Sequence, residues 1–114
     1  MTQGIGTVIY PVSDLAQAKA TFTALLGVEP MADTPYYVGY ETPKQHIGLN
    51  PNGHAEGMTG PVGYYHVDDI TKTIDTLLAA GAKEQNAPRD VGNGRLIATV
   101  TDASGNVIGL LQDK

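Results

Sequence analysis

Thr7-Val-Ile-Tyr-Pro-Val-Ser-Asp14 returns in degenerate form as Val62-Gly-Tyr-Tyr-His-Val-Asp-Asp69, with Tyr10 over Tyr65, Val12 over Val67 and Asp14 over Asp69 at a constant offset of 55 residues (12 to 67). A fixed internal period makes the chain two copies of one supersecondary unit. The residues after each copy agree: Leu15 to Leu26 and Ile70 to Ala80 both read as amphipathic helices, and each ends at a glycine, Gly27 or Gly81. Farther on, Gln45-His-Ile-Gly-Leu-Asn50 lies over Asn106-Val-Ile-Gly-Leu-Leu111 at an offset of 61 (45 to 106).

Residues 5 to 12 alternate with apolar side chains on both faces, as a strand covered on both sides does. Pro11 lacks an amide donor and ends it. Ser13 or Asp14 then caps a helix with the stripe Leu15, Ala18, Phe22, Leu25 and Leu26, and Gln17 is the capping-box partner. The second unit repeats the order: a strand at Val62 to Val67, a cap at Asp68 or Asp69, and the stripe Ile70, Ile74, Leu77, Leu78. Three short strands are predicted after each helix. In the first unit they are Val28 to Met31, Tyr36 to Glu41 and His46 to Asn50, turning at Thr42-Pro43-Lys44. In the second they are Lys83 to Gln85, Arg95 to Thr101 and Val107 to Gln112, turning at Asp102 to Asn106. Each unit therefore reads β-α-β-β-β, and the chain is α+β. It forms one domain over residues 1–114, with module one at about 1–50, a linker rich in Gly, Asn and Pro at 51–61, and module two at about 62–114. Asn86 to Gly94 is expected to be a second long loop.

A length of 114 residues suits one domain that buries roughly two-thirds of its unfolded surface. Cysteine is absent, which excludes disulfides, thiolate metal sites and a cysteine nucleophile. No signal segment or membrane-length apolar run is present, so a cytoplasmic location and no membrane partner are expected. With 7 Lys+Arg against 12 Asp+Glu, the net charge of −5 opposes contact with phosphate backbones, and nucleic acid is not an expected partner.

A βαβββ duplication with Val12-Ser-Asp14 and Val67-Asp-Asp69 at the strand-to-helix junctions resembles the vicinal oxygen chelate superfamily of glyoxalases, bleomycin-resistance proteins and extradiol dioxygenases. Leu25-Leu-Gly-Val28, Ala79-Ala-Gly-Ala82 and the ending Thr101-Asp-Ala-Ser-Gly-Asn-Val-Ile-Gly-Leu-Leu-Gln112 carry the same resemblance, which covers nearly the whole chain. It implies two tandem modules whose curved sheets surround one cleft, with the helices outside, and a homodimer. Metal-dependent relatives carry ligands at positions that map here to Thr7, Gly48, Val62 and Gly109. Valine and glycine side chains donate no lone pair, and a neutral threonine hydroxyl alone is a weak ligand. No metal and no cofactor are therefore expected.

If Thr7 and Val62 face the cleft, alternation brings Ile9, Pro11, Tyr64 and His66 with them, and turns Val8, Tyr10, Val12 and Tyr65 toward the helices. Gly48 likewise takes His46 and Asn50, and Gly109 takes Val107 and Leu111. Tyr37 or its neighbours Tyr36 and Tyr40 add a ring. His66 precedes Asp68-Asp69, which either bond it at the helix cap or poise it for proton transfer. Arg95 beside the second unit's long loop can pair with a ligand carboxylate. The expected ligand-binding residues are His66, Tyr64, His46, Asn50, Tyr37 and Arg95. They suit a small, partly apolar organic molecule, which the chain sequesters or turns over. The rival readings are a divalent-metal lyase or dioxygenase with a site rearranged around His46 and His66, and a non-catalytic protein-interaction module. Ser13 and Ser104, at a helix cap and in a turn, assemble no nucleophilic triad.

Overall fold

The computed structural model describes residues 2–114, and among them lie eight strands and two helices, an α+β chain. Its contacts divide it into two compact units: Thr7–Val62, and a second in which the residues up to Gly6 join Gly63–Lys114. No helix among the described residues is long and apolar enough to cross a membrane.

In the Thr7–Val62 unit, the strand β1 (Thr2–Pro11) supplies its second half and precedes α1 (Leu15–Leu26), β2 (Ala32–Thr34), β3 (Tyr37–Glu41) and β4 (His46–Asn50). The strand order is β2-β3-β4-β1. Parallel pairing of β1 with β4 sets Thr7 beside His46, Ile9 beside Gly48 and Pro11 beside Asn50. Asp14 caps α1, its carboxylate accepting from the Gln17 amide at 3.0 Å. Gly27 stops the helix in the left-handed region at φ 71°, which a side chain would resist. Leu15, Ala18, Phe22 and Leu26 of α1 pack with Val8, Tyr10 and Val12 onto Val38, Tyr40, Ile47 and Leu49. The Tyr10 and Phe22 rings sit 4.9 Å apart. Tyr40 is fully buried, and its hydroxyl donates to the Lys19 carbonyl at 3.0 Å.

Two expectations need correction in this unit. Leu25 is 73% exposed and does not belong to the helix stripe. The stripe is narrow, and Leu25 lies off its edge. The strand expected at Val28 to Met31 forms instead at Ala32–Thr34, because the Thr34 hydroxyl accepts from the amides of Tyr36 and Tyr37 and fixes where the chain turns into β3.

The second unit contains β5 (Val62–Val67), α2 (Ile70–Ala79), β6 (Lys83–Asp90), β7 (Leu96–Thr101) and β8 (Val107–Gln112), in the strand order β5-β8-β7-β6. Asp69 rather than Asp68 caps α2, accepting from the Lys72 amide at 3.0 Å. A further amide of that first turn, Ile70 N, donates to the Gln112 side chain at 2.7 Å. Ile70 and Ile74, with Leu77 beside them, pack on Val67, Ala98, Val100 and Leu110. Each buried aliphatic of that kind contributes about 1.5–3 kcal/mol. Leu78 turns outward at 41% exposure, a second correction to the helix stripes. The first half of β1 also belongs here: the Thr2 hydroxyl donates to the His66 carbonyl at 2.8 Å, and Gln3 donates to Asp68.

The loop expected at Asn86 to Gly94 is mostly strand. β6 runs to Asp90 along β7, with register shifts between Glu84 and Asn86 and between Asn86 and Arg89. Pro88 falls within the second shift. An edge strand tolerates proline at such an irregularity because no ladder bond depends on its nitrogen.

Candidate functional site

Because Tyr65, Val67, Ala98, Val100, Ile108 and Leu110 pack toward α2, their neighbours Tyr64, His66, Ile97, Thr99, Gly109 and Leu111 project from the opposite face of that unit's sheet. That face carries the polar chemistry. His66 lies with Nδ1 3.6 Å from Asp113 Oδ2, and Arg95 Nε donates to Asp113 Oδ1 at 2.7 Å. Asp113 thus bridges two of the expected site residues. His66 is about a fifth exposed at its side chain and Asp113 about half, 22% and 52%. The other side of the imidazole lies against Gly6, where an added Cβ would meet Nε2 at 2.6 Å. Glycine at this position is what lets the ring approach the β1 backbone.

The expectation that Asp68 or Asp69 partners His66 is corrected: Asp69 is spent on the α2 cap, Asp68 on Gln3, and Asp113 is the carboxylate beside the ring. Asp113 lies outside the expected set. Its parity with Gly109 and Leu111 is the signal that could have found it.

Tyr64 is buried, and its ring lies over Gly109. An ideal Cβ there would stand 2.6–2.9 Å from ring atoms Cδ2, Cγ and Cε2. The Thr7–Val62 unit holds the same arrangement independently. Tyr37 lies across Gly48 and Gly39, so a Cβ on Gly48 would stand 2.7 Å from Tyr37 Cζ and 2.6 Å from Ile9 Cδ1. Of the three tyrosines offered for this ring, Tyr37 alone sits on that face; Tyr36 is 74% exposed and Tyr40 belongs to the core under α1.

His46 and Asn50 share the Tyr37 face, since Ile47 and Leu49 between them point into the α1 core. The Asn50 side chain is already engaged, donating to Glu56 at 3.0 Å and accepting from the Asn52 amide at 2.9 Å. It braces the turn into the linker. His54 lies exposed in that linker. A shallow depression of about 390 Å³ on the α1 side is lined by Leu15, Ala16, Lys19, Asp33, Pro35 and Val38, and none of the expected site residues reaches it.

The donor chemistry does not fit a divalent ion. Thr7, Val62, Gly48 and Gly109 offer a single neutral hydroxyl among them, and among the described residues no three His, Asp or Glu side chains converge.

Residues 4–110 match the Glyoxalase/Bleomycin resistance protein/Dioxygenase superfamily, and the chain belongs to it. Solved structures agree on the fold. Methylmalonyl-CoA epimerase from Mycobacterium tuberculosis is similar at 18% identity with a TM-score of 0.77, covering 99% of this chain and 89% of that one. A superfamily member from Vibrio splendidus 12B01 is similar at 14% identity with a TM-score of 0.69, covering 99% and 100%. The Mn(II)-bound glyoxalase from Novosphingobium aromaticivorans is similar at 18% identity with a TM-score of 0.73, but only 39% of that longer chain is covered. No curated protein sequence matches.

Proposed function

We propose that this chain is a metal-independent member of the superfamily that binds a small, partly apolar organic molecule on the sheet face carrying Tyr64, His66 and Arg95. The observation that supports it best is the pair of tyrosines seated on glycines. At 48 and at 109 the metal-ligating side chain of relatives is missing, and an aromatic ring occupies the space into which it would project. In each unit by itself the ring gives the sheet face an apolar floor with a phenolic edge, which favours an organic ligand group over an ion. Asp113 holds only Nε of Arg95, and no described residue accepts from the guanidinium's terminal nitrogens, which stand ready for a polar ligand group. His66, with the Asp113 carboxylate near its Nδ1, is the group able to exchange a proton with a bound molecule.

Metal analysis of the purified protein, together with a ligand screen run before and after chelation, tests the reading. Expected are no stoichiometric metal and unchanged binding in chelator; near-equimolar metal that survives dialysis would overturn it. His66→Ala separates a ligand-binding role from a structural one. The His66–Asp113 pair is partly solvated and by itself contributes less than about 1 kcal/mol to stability; the variant is expected to remain folded and to lose affinity for a screened ligand. Unaltered affinity would remove His66 from the site. A homodimer belongs to the same reading, supported by β6, an edge strand exposed along its whole length. A one-chain mass by sedimentation at micromolar concentration would reject it.

A further inference from the structure

The register shift in β6 does something that a regular strand cannot. Glu84 pairs with Val100 and Asn86 with Thr99, so Gln85 is the extra residue of a bulge. In an unbroken strand Gln85 and Asn86 would point to opposite faces. Here both side chains reach the same atom: Asn86 Nδ2 donates to Thr99 Oγ1 at 2.8 Å, and that hydroxyl donates to Gln85 Oε1 at 2.9 Å. Thr99 is 6% exposed, whereas Gln85 and Asn86 are both exposed.

A hydroxyl has one hydrogen to give, so Thr99 donates to one carboxamide and accepts from the other, and the two must stand opposite ways round. Gln85 turns its oxygen inward and therefore presents its NH2 outward. Asn86 turns its NH2 inward and presents its oxygen. The outward ends are a donor and an acceptor on neighbouring residues that share Thr99, and neither has a hydrogen-bond partner among the described residues. Thr99 lies beside Gly109, and Ile97 on the same face supplies apolar contact.

We propose that Gln85 and Asn86 form a recognition fork for a flat molecule bearing a cis amide, a ring N–H next to its C=O as in a lactam. The Gln85 NH2 donates to the ligand carbonyl, and the Asn86 oxygen accepts from the ligand N–H. The inference rests on the reading that this sheet face binds a small molecule, and it names the group by which that molecule is recognised.

The test compares 2-pyridone with N-methyl-2-pyridone, two flat rings that differ in the donor, by titration into the ¹⁵N-labelled full chain. Expected are shifts of the Gln85 and Asn86 side-chain NH2 resonances with 2-pyridone, and about tenfold weaker binding of the N-methyl compound, the size of one lost hydrogen bond to a preset partner. Thr99→Val, which releases both carboxamides, should weaken 2-pyridone to a similar degree. Since Thr99 is buried, Gln85→Met on the exposed strand serves as the second variant and should do the same without altering the rest of the spectrum. Equal affinity for the two probes, or 2-pyridone binding that is indifferent to Gln85→Met, overturns the fork. Shifts at His66 and Tyr64 with none at Gln85 or Asn86 overturn the fork and leave the binding face standing. No shift on that face with either probe removes both.

Discussion

Gly109→Ala adds one methyl group, and the structure says where it goes. The new Cβ would stand 2.6 Å from Tyr64 Cδ2, 2.7 Å from Cγ and 2.9 Å from Cε2. Carbon atoms in contact prefer roughly 3.5–4.0 Å, so the ring must move by most of an ångström. Tyr64 is 9% exposed and has little room to do so. Overpacking of this kind costs about 1–3 kcal/mol. At this chain length that is a fall in Tm of about 4 °C for each kcal/mol. Urea and thermal unfolding followed by circular dichroism would read it. Two companions sharpen the result. Gly60→Ala, where an added Cβ meets nothing within 4 Å and φ is not positive, should be neutral or slightly stabilising. In a Tyr64→Leu background the ring is gone, so Gly109→Ala should cost much less than it does alone. The shortfall is the coupling between the two positions. An undiminished cost in that background, or no cost in the parent, would refute the claim that the Tyr64 ring occupies the space above Gly109.

Tyr40→Phe removes a hydroxyl that is fully buried, donates to the Lys19 carbonyl and pairs with Thr23 at 2.9 Å; a loss of about 1–2 kcal/mol by urea unfolding is expected, and no loss would deny the bond. Asp69→Ala deletes the α2 cap and should cost about 1 kcal/mol, whereas Asp68→Ala, which makes no cap, should cost less. The Asn106 side chain, then its amide, holds the Asp102 carboxyl below its ordinary value of 3.8. A depressed carboxylate contributes stability above its unfolded pKa, and that contribution is lost as pH falls through the folded value. Asn106→Ala should move the Asp102 titration, followed by NMR, upward toward 3.8; a titration that stays in place would contradict the assigned cause.

Element order is legible in the sequence because it depends on local chemistry repeated twice. Asp14 and Asp69 cap, Gly27 takes a positive φ, and α1 together with β4, β5 and β8 falls on the expected residues. Parity is equally legible where one face is buried: Val8, Tyr10, Val12 and Tyr65 turn toward the helices as alternation requires. Parity decides less where turns and edges set the register. Nothing in Val28-Glu-Pro-Met31 announces that the Thr34 hydroxyl will fix the start of β3 and move β2 downstream. Leu25 and Leu78 read as part of the apolar stripes by helical spacing, yet each lies at a stripe's edge and is left in solvent.

The candidate site is less legible because its partners are set by pairing between strands and, in β6, by an interruption of period. Asn86 to Asp90 reads as loop because it is polar and contains Pro88, which is also how an exposed, bulged edge strand reads. Only the pairing with β7 distinguishes the two, and pairing is not a local property. The histidine is visible, but proximity in sequence assigns it the wrong carboxylate. Asp68 and Asp69 stand two and three positions from His66, and Asp113 stands far along the chain. The cap settles the matter physically: a carboxylate that accepts from helix amides at the start of α2 is held away from the sheet face, while one that comes after β8 in phase with Leu111 is carried onto it. Glycines at 48 and 109 can be read as missing ligands from sequence. That each is roofed by a tyrosine cannot, because Tyr37 reaches Gly48 from the paired strand β3 and Tyr64 reaches Gly109 from the paired strand β5.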